Sequence, residues 1–442
     1  MKKLFIKLLL LISLCVLTFK GCEFSTIEKS EKKNWTLIFY MCGDNNLAPS
    51  ALRDINEMEA ANVDYDKVNI LALTDLSSEY VESSSSGSRL FQIQKDNNGL
   101  NSKIVSNEIH SKQLGLSKKY RVNLNMASSK VLSDYISLCK EYFPAEHYGL
   151  VIWGHGSGWR SVKLSDAYSP SRAVAFDDSS MQFMSVPVLA SCISKNFKHS
   201  ELDFIGFDTC FGSELEVLYE LKNCGQYFAG VEGLEGSDGW DYTKWLSSFD
   251  FEETSGGYNM ALALEEQFIE AGDHTFAAID LSKVNELFCQ FEAFCQQVCP
   301  VIKDAESQKN LLNGLRKDVI SFYQAGIESD YVVDLIEFSK LLVKEDYSYS
   351  KYSTDLFNSV KEAIVSGKKF NVDRYPVGIL LCSIDENGKF ISEYSDYYVN
   401  GSGVLNQSKI VLDSNWYVPS AERKGSVLDR LFCTTFFSEG DN

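Results

Sequence analysis

An α/β fold, with a mostly parallel sheet flanked by helices, is the class this sequence predicts. Three observations carry the prediction. Six short runs, at residues 35–41, 68–73, 148–153, 203–207, 227–231 and 275–280, are nearly continuous in apolar side chains rather than alternating. Strands covered on both faces read this way. Segments of helical character separate several of these runs, the alternation that parallel sheets require. Finally, 45% of the 442 residues are hydrophobic and 13% aromatic, enough to bury a large core.

Taken in order, the first strand, 35–41, runs into Gly43-Asp44-Asn45-Asn46, which opens a helix reaching about Ala61. Asp44 or Asn45 is the expected cap, since a short polar side chain can accept from a free backbone N–H there. After the second strand, 68–73, the Ser-rich stretch 77–88 reads as a loop, and 90–94 as a hairpin strand. A helix is expected over 127–142. The third, fourth and fifth strands follow at 148–153, 203–207 and 227–231, with a helix over 213–221 between the last two. The sixth is 275–280. Residues 281–365 read as mainly helical, and from Tyr375 onward short strand-like runs alternate with turns such as Asp385-Glu386-Asn387-Gly388.

The ends of the chain are organised differently. Lys2, Lys3 and Lys7 precede an apolar run over 8–19 that is short for a membrane span, the pattern of a secretory signal. Gly21-Cys22 at its end resembles a bacterial lipobox, with Cys22 as the residue that receives lipid. Lys20 departs from the residue usual at that position. The expected organisation is therefore an export segment (1–22), a polar tether (23–34), a catalytic core (35–280) and a helical, short-strand part of the same unit (281–442). The predicted location is the cell envelope, held by the N-terminal lipid, or otherwise secreted.

Net charge is −19, so a nucleic acid is not an expected partner, because phosphate binding needs clustered Lys and Arg. Twelve cysteines have irregular spacing and no CxxC pair. Most read as small buried hydrophobes. Cys289, Cys295 and Cys299 share one helical stretch but lack a fourth ligand at zinc spacing.

Two strand ends carry chemistry. One is Trp153-Gly154-His155-Gly156-Ser157-Gly158-Trp159, where an apolar strand meets a Gly-rich loop through a histidine. The other is Phe207-Asp208-Thr209-Cys210-Phe211-Gly212, where a strand ends in a cysteine and a helix is expected just beyond. Open α/β sheets bind ligands at the carboxyl ends of their strands. There, His155 could take the Cys210 proton and later protonate a leaving amine. A helix start beside Cys210 would favour its thiolate. The N–H groups of Gly156 and Cys210 could hold an oxyanion. Each residue alone reads more readily as an ordinary core or surface residue; the paired setting is what singles them out.

These two motifs resemble the catalytic His and Cys motifs of the clostripain-like cysteine peptidases. Glu214-Leu215-Glu216-Val217-Leu218-Tyr219-Glu220-Leu221 resembles the helix that follows the cysteine, and Met41-Cys42-Gly43-Asp44-Asn45-Asn46-Leu47 the first strand–helix junction. Gly236-Ser237-Asp238-Gly239-Trp240-Asp241-Tyr242 resembles the specificity loop, and Tyr331-Val332-Val333-Asp334-Leu335 a later helix start. The similarity runs over roughly 35–420. It implies a caspase-like fold, shared with gingipains and legumains, and hydrolysis after Arg or Lys through a thioester.

By the same resemblance, Asp208 and Asp238 line the pocket for the basic side chain, a role two carboxylates suit. Trp240 walls that pocket or simply packs. Phe211-Gly212 departs from the larger aliphatic pair usual there. Self-cleavage after a basic residue between the two motifs is also implied, with Arg172 and Lys163 as candidates. No cofactor is required by the sequence. Calcium, which some relatives need, has Asp177-Asp178 and other acids as candidate ligands, without EF-hand spacing. A catalytically silent surface lipoprotein that binds basic peptides is the alternative, against which the retention of both His155 and Cys210 argues.

Overall fold

A computed structural model describes residues 27–158, 173–198, 201–236, 238–252, 256–298, 321–322, 331–345, 350–365 and 375–381. Its centre is an eight-stranded sheet. In chain order the elements are β1 (Lys33–Gly43), α1 (Ala48–Ala60), β2 (Val68–Leu76), β3 (Gly87–Gln92), β4 (Asn107–Ile109), α2 (Ser129–Tyr142), β5 (Ala145–Gly154), β6 (Ala173–Asp177), β7 (Gln182–Ser185), α3 (Val186–Asn196), β8 (Leu202–Asp208), α4 (Leu215–Leu221), β9 (Tyr227–Val231), α5 (Tyr242–Ser248), α6 (Gly257–Glu270), β10 (Phe276–Asp280) and α7 (Val284–Val298). The sheet runs β10-β9-β8-β5-β1-β2-β3-β4. Its five central strands are parallel; β10 and β3 run antiparallel to them on either side, and β4 pairs antiparallel with β3.

The apolar runs are strands for the reason the sequence suggested. Along β1, Ile38, Tyr40 and Cys42 face one buried layer, while Trp35, Leu37, Phe39 and Met41 face the other. The first layer is covered by α2, α3, α4 and α7 through Leu132, Ile136, Leu189, Leu218 and Phe291. The second is covered by α1, α5 and α6 through Ile55, Met58, Trp245 and Met260. Both faces are therefore dry, as in a doubly covered parallel sheet. Cys42, Cys139 and Cys192 are buried and free, and behave as small hydrophobes.

Chain connectivity reverses between β1 and β5: β2 is added on one side of β1, then β5 and β8 on the other. Such a switch point opens a crevice at the carboxyl ends of the strands. Register then sets what meets there. Trp153 of β5 is paired with Asp208 of β8, and Cys42 of β1 with Gly154 and Asp75.

A second, three-stranded antiparallel sheet joins β11 (Ser321–Phe322), β12 (Tyr331–Asp334) and β13 (Gly378–Leu381), with α8 (Leu335–Glu345) and α9 (Ser350–Ala363) beside it. The expected helix start at 331–335 is thus a strand running into a helix. This part docks on the segment after Cys210: Gly378 N–H donates to Ser213 O at 3.1 Å, and Ser213 Oγ to Pro376 O at 3.2 Å. The turn expected at 385–388 lies outside the described residues.

Candidate active site

His155 lies one residue past the end of β5, and Cys210 two residues past the end of β8. Because Trp153 and Asp208 are paired, each residue is two positions beyond the same rung of the sheet. The chain turns that carry them touch. A Cβ on Gly156 would come within 2.4 Å of Cys210 O and 2.7 Å of Thr209 Cβ, so only glycine allows this approach. Gly154 fits as closely on the other side, at φ 138° against Cys42 O.

The His155 ring is oriented from the segment between β1 and α1. Its Nε2 lies 2.7 Å from Asn46 Oδ1, and Phe176 stands edge-on to it with centroids 6.4 Å apart. With the Asn46 amide assigned oxygen-first, Oδ1 can only accept, so the ring hydrogen is on Nε2 and Nδ1 is left as the acceptor. Burial holds the His155 pKa below 6.5, which keeps the imidazole neutral at neutral pH.

The turn after β8 differs from the expectation. α4 has seven residues and begins at Leu215, so no helix terminus adjoins Cys210. Instead Phe211 takes a left-handed conformation, φ 61°, that a bulky residue seldom adopts. It is held there by its own burial and by donation of its N–H to Gly233 O at 2.7 Å. The reversal leaves Cys210 partly exposed, and Glu235 N–H donates to its Sγ at 3.3 Å. A backbone N–H therefore supplies the positive end of a dipole that the helix was expected to supply.

Acidic groups crowd the same strand end. Asp208 is 4% exposed and accepts from Tyr242 Oη at 2.5 Å. Burial raises its pKa to about 6 against the pull of Tyr242 and neighbouring donors. Burial, then Asp208 and Cys210, raise Glu235 well above the usual carboxylate range, so the two carboxyls share a proton. Glu235 Oε1 is buried with no hydrogen-bond partner among the described residues. Behind them Asp54 accepts from Trp153 Nε1 at 2.8 Å, and burial with Asp208 lifts it to about 8.

Asp238 is not brought to Asp208. Gly239 N–H donates to Gly236 O at 3.0 Å, and with Gly239 at φ 61° the turn sends the Asp238 carboxylate outward, 92% exposed, to Arg53 Nη1 at 3.0 Å. The turn's backbone does approach Asp208, since a Cβ on Gly239 would lie 3.0 Å from Oδ1. Trp240 is wholly buried and packs on Tyr242, Trp245 and Phe276. It backs the region from inside the core. Arg172, Lys163 and Cys22 lie outside the described residues.

The helix-capping expectation is also revised. α1 starts at Ala48 with Leu47 as its N-cap and no side-chain cap bond. Asn45 Oδ1 instead accepts from Leu47 N–H at 2.9 Å, and Asn46 is committed to His155. Asn46 and Glu235 are the site residues that sequence reasoning missed. Asn46 stood inside a quoted motif without a role. Nothing in periodicity marks Glu235.

An open, mostly parallel sheet of caspase-like architecture, with a histidine and a cysteine on adjoining strand ends, defines a class: the α/β cysteine peptidases. Within that class the chain belongs to the clostripain family, whose sequence profile it matches over residues 39–410. It is a cysteine peptidase of that family. Clostripain from Hathewaya histolytica is 24% identical over 434 residues, covering 85% of this chain and 78% of that protein. Two solved structures share the fold. One is an inactive zymogen C11 protease from Parabacteroides distasonis, at TM-score 0.55, 22% identity and coverage of 79% of this chain and 92% of the other. The other is a secreted C11 cysteine protease from Bacteroides thetaiotaomicron with an irreversible peptide inhibitor, at TM-score 0.56, 18% identity and coverage of 87% and 99%. Among the described residues no helix is long and apolar enough to cross a membrane.

Proposed function

We propose that this peptidase is exported and cleaves polypeptides after Arg or Lys, with Cys210 as nucleophile and His155 as base. The observation that carries the reading is the pairing of the His155–Gly156 turn with the Cys210 turn, beside the buried Asp208–Glu235 carboxyls. In this scheme the thiol proton passes to His155 Nδ1 as Sγ attacks the scissile carbonyl carbon. His155 then protonates the departing amine, and a thioester remains. Water gives a proton to His155, attacks the thioester and releases the acid, and the proton returns to sulfur. The N–H groups of Gly156 and Cys210 hold the oxyanion in both steps.

The basic side chain enters beside Asp208 and Glu235 and replaces their shared proton. A cation with two carboxylates beside it needs no further counter-charge, which excludes acidic and apolar side chains. Asp238 joins the grip by exchanging Arg53 for the substrate. The resemblance to the clostripain family implies the same preference. Lipid attachment at Cys22 and self-cleavage after Arg172 or Lys163 complete the proposal.

The test is hydrolysis of fluorogenic peptides ending in Arg, Lys, Asp or Leu, by the parent and by Cys210→Ala. Turnover confined to Arg or Lys and lost in the variant supports the reading. Turnover that survives Cys210→Ala, or that prefers Leu or Asp, refutes it.

A further inference from the structure

We propose that Asp44, Asp75 and Asp177 form a site for a hard divalent cation such as calcium, which ties together the two chain segments that touch His155. The proposal is independent of the catalytic roles given above. Each aspartate comes from a different element: Asp44 from the loop after β1, Asp75 from β2, and Asp177 from the end of β6. One carboxylate oxygen of each lies within 4.8 Å of the other two, and all three residues are at most 3% exposed. Among the described residues, no Lys, Arg or His forms an ion pair with any of them. Three buried acids with no cation facing them need a counter-charge or protons.

The hydrogen bonds around the cluster orient two of the acids and leave a gap at the third. Asp44 Oδ2 accepts from Ser179 N–H at 3.2 Å and Asn123 Nδ2 at 3.4 Å. Asp177 accepts from Met126 N–H and Ser180 N–H, both at 2.9 Å. Asp75 Oδ1 accepts from Ser88 Oγ at 2.8 Å, but its Oδ2 is buried with no hydrogen-bond partner among the described residues. A buried carboxylate oxygen without a donor is the observation that points to a ligand.

The donor set fixes the class of ion. Carboxylate oxygens alone suit calcium, magnesium or manganese rather than zinc or copper. Calcium holds oxygens at about 2.3–2.6 Å, so ligands on opposite sides of one ion stand about 4.6–5.2 Å apart. The three oxygens, none more than 4.8 Å from another, lie within that reach. Waters would complete the shell.

Such an ion would act on the active site through the backbone. Asp44 is two residues before Asn46, which bonds the His155 ring, and Asp177 follows Phe176, which stands edge-on to the same ring. Asp178 N–H already donates to Asp44 O at 3.1 Å, so the two segments are in contact and the ion would clamp them.

The experiment uses the full chain carrying Cys210→Ala, so that proteolysis plays no part. Metal-free protein is titrated with calcium chloride by calorimetry and by thermal melting. The expected result is one calcium per chain and a Tm that rises with calcium concentration. Asp75→Asn keeps the Ser88 bond and nearly the same shape. It should weaken calcium binding by roughly 10- to 100-fold or more, with Asp177→Asn doing the same. Should a variant fail to fold, terbium replaces calcium: emission sensitised through Tyr40, whose neighbours include Asp75 and Asp177, reports the same place. Unchanged affinity in both variants, or terbium emission that is not Tyr40-sensitised, overturns the site. So does the absence of heat and of any Tm shift with calcium, magnesium and manganese, which would leave protons as the counter-charge.

Discussion

Replacing Asp208 by Asn separates two quantities that the buried carboxylate combines, substrate binding and the cost of burial. The side chain is 4% exposed, and its pKa in the fold is about 6 against 3.8 for a free aspartate. The fold therefore prefers the protonated form. The contribution of this group to stability is fully present below pH 3.8 and is lost as pH rises through 6. That difference is worth about 3 kcal/mol by pH 7.5. An amide cannot ionise, and its oxygen can still accept from Tyr242. Asp208→Asn should therefore gain about 1–3 kcal/mol at pH 7.5, a few degrees in Tm, and little at pH 4. Activity should move the other way. A charged hydrogen bond to a guanidinium is worth about 1.5–3 kcal/mol, so kcat/KM on an Arg peptide should drop roughly 10- to 150-fold. Thermal melts at both pH values and kinetics on one Arg peptide measure both effects. Unchanged turnover, or a variant that melts lower at pH 7.5, would refute the reasoning.

Other perturbations follow from the same geometry. Asn46→Ala removes the exposed acceptor of His155 Nε2–H, about 1–1.5 kcal/mol, so kcat should fall roughly 5- to 13-fold without unfolding, as steady-state kinetics and circular dichroism would show. Since burial lowers His155 below 6.5, the acid limb of kcat/KM should lie below pH 6.5. Asn46→Asp should move it upward by favouring the imidazolium, and a limb that stays put would detach Asn46 from His155. Asp238→Asn should cost less than about fivefold on Arg peptides, because its partner Arg53 and its carboxylate are in water. A larger loss than in Asp208→Asn would make Asp238 the main anchor.

The central strands were legible because burial on both faces leaves a direct mark on the sequence. Residues 227–231 were delimited to the residue, and β5 and β8 to within three. The strand-end positions of His155 and Cys210 followed from the same runs. What sequence did not show depends on register and on turn shape. The helix after Cys210 starts later than expected because the chain first makes the left-handed turn at Phe211, which is fixed by bonds to the loop after β9. Asp238 reads as pocket-lining in the motif, yet a Gly-dependent turn points its carboxylate at Arg53. Glu235 reaches Asp208 only through the path of that loop. Asp44, Asp75 and Asp177 are far apart in sequence, and the pairing of β1 with β2 and the placement of the β6–β7 hairpin bring them together.

The most direct test of the account is the site of covalent modification by peptide acyloxymethyl ketones ending in Arg, Lys or Asp, read by mass spectrometry of reduced protein. The Arg and Lys probes should each leave one adduct, on Cys210, lost in Cys210→Ala and strongly slowed in His155→Ala, while the Asp probe leaves none. An adduct on another cysteine, or equal labelling by the Asp probe, would contradict the assignment of nucleophile and acidic pocket.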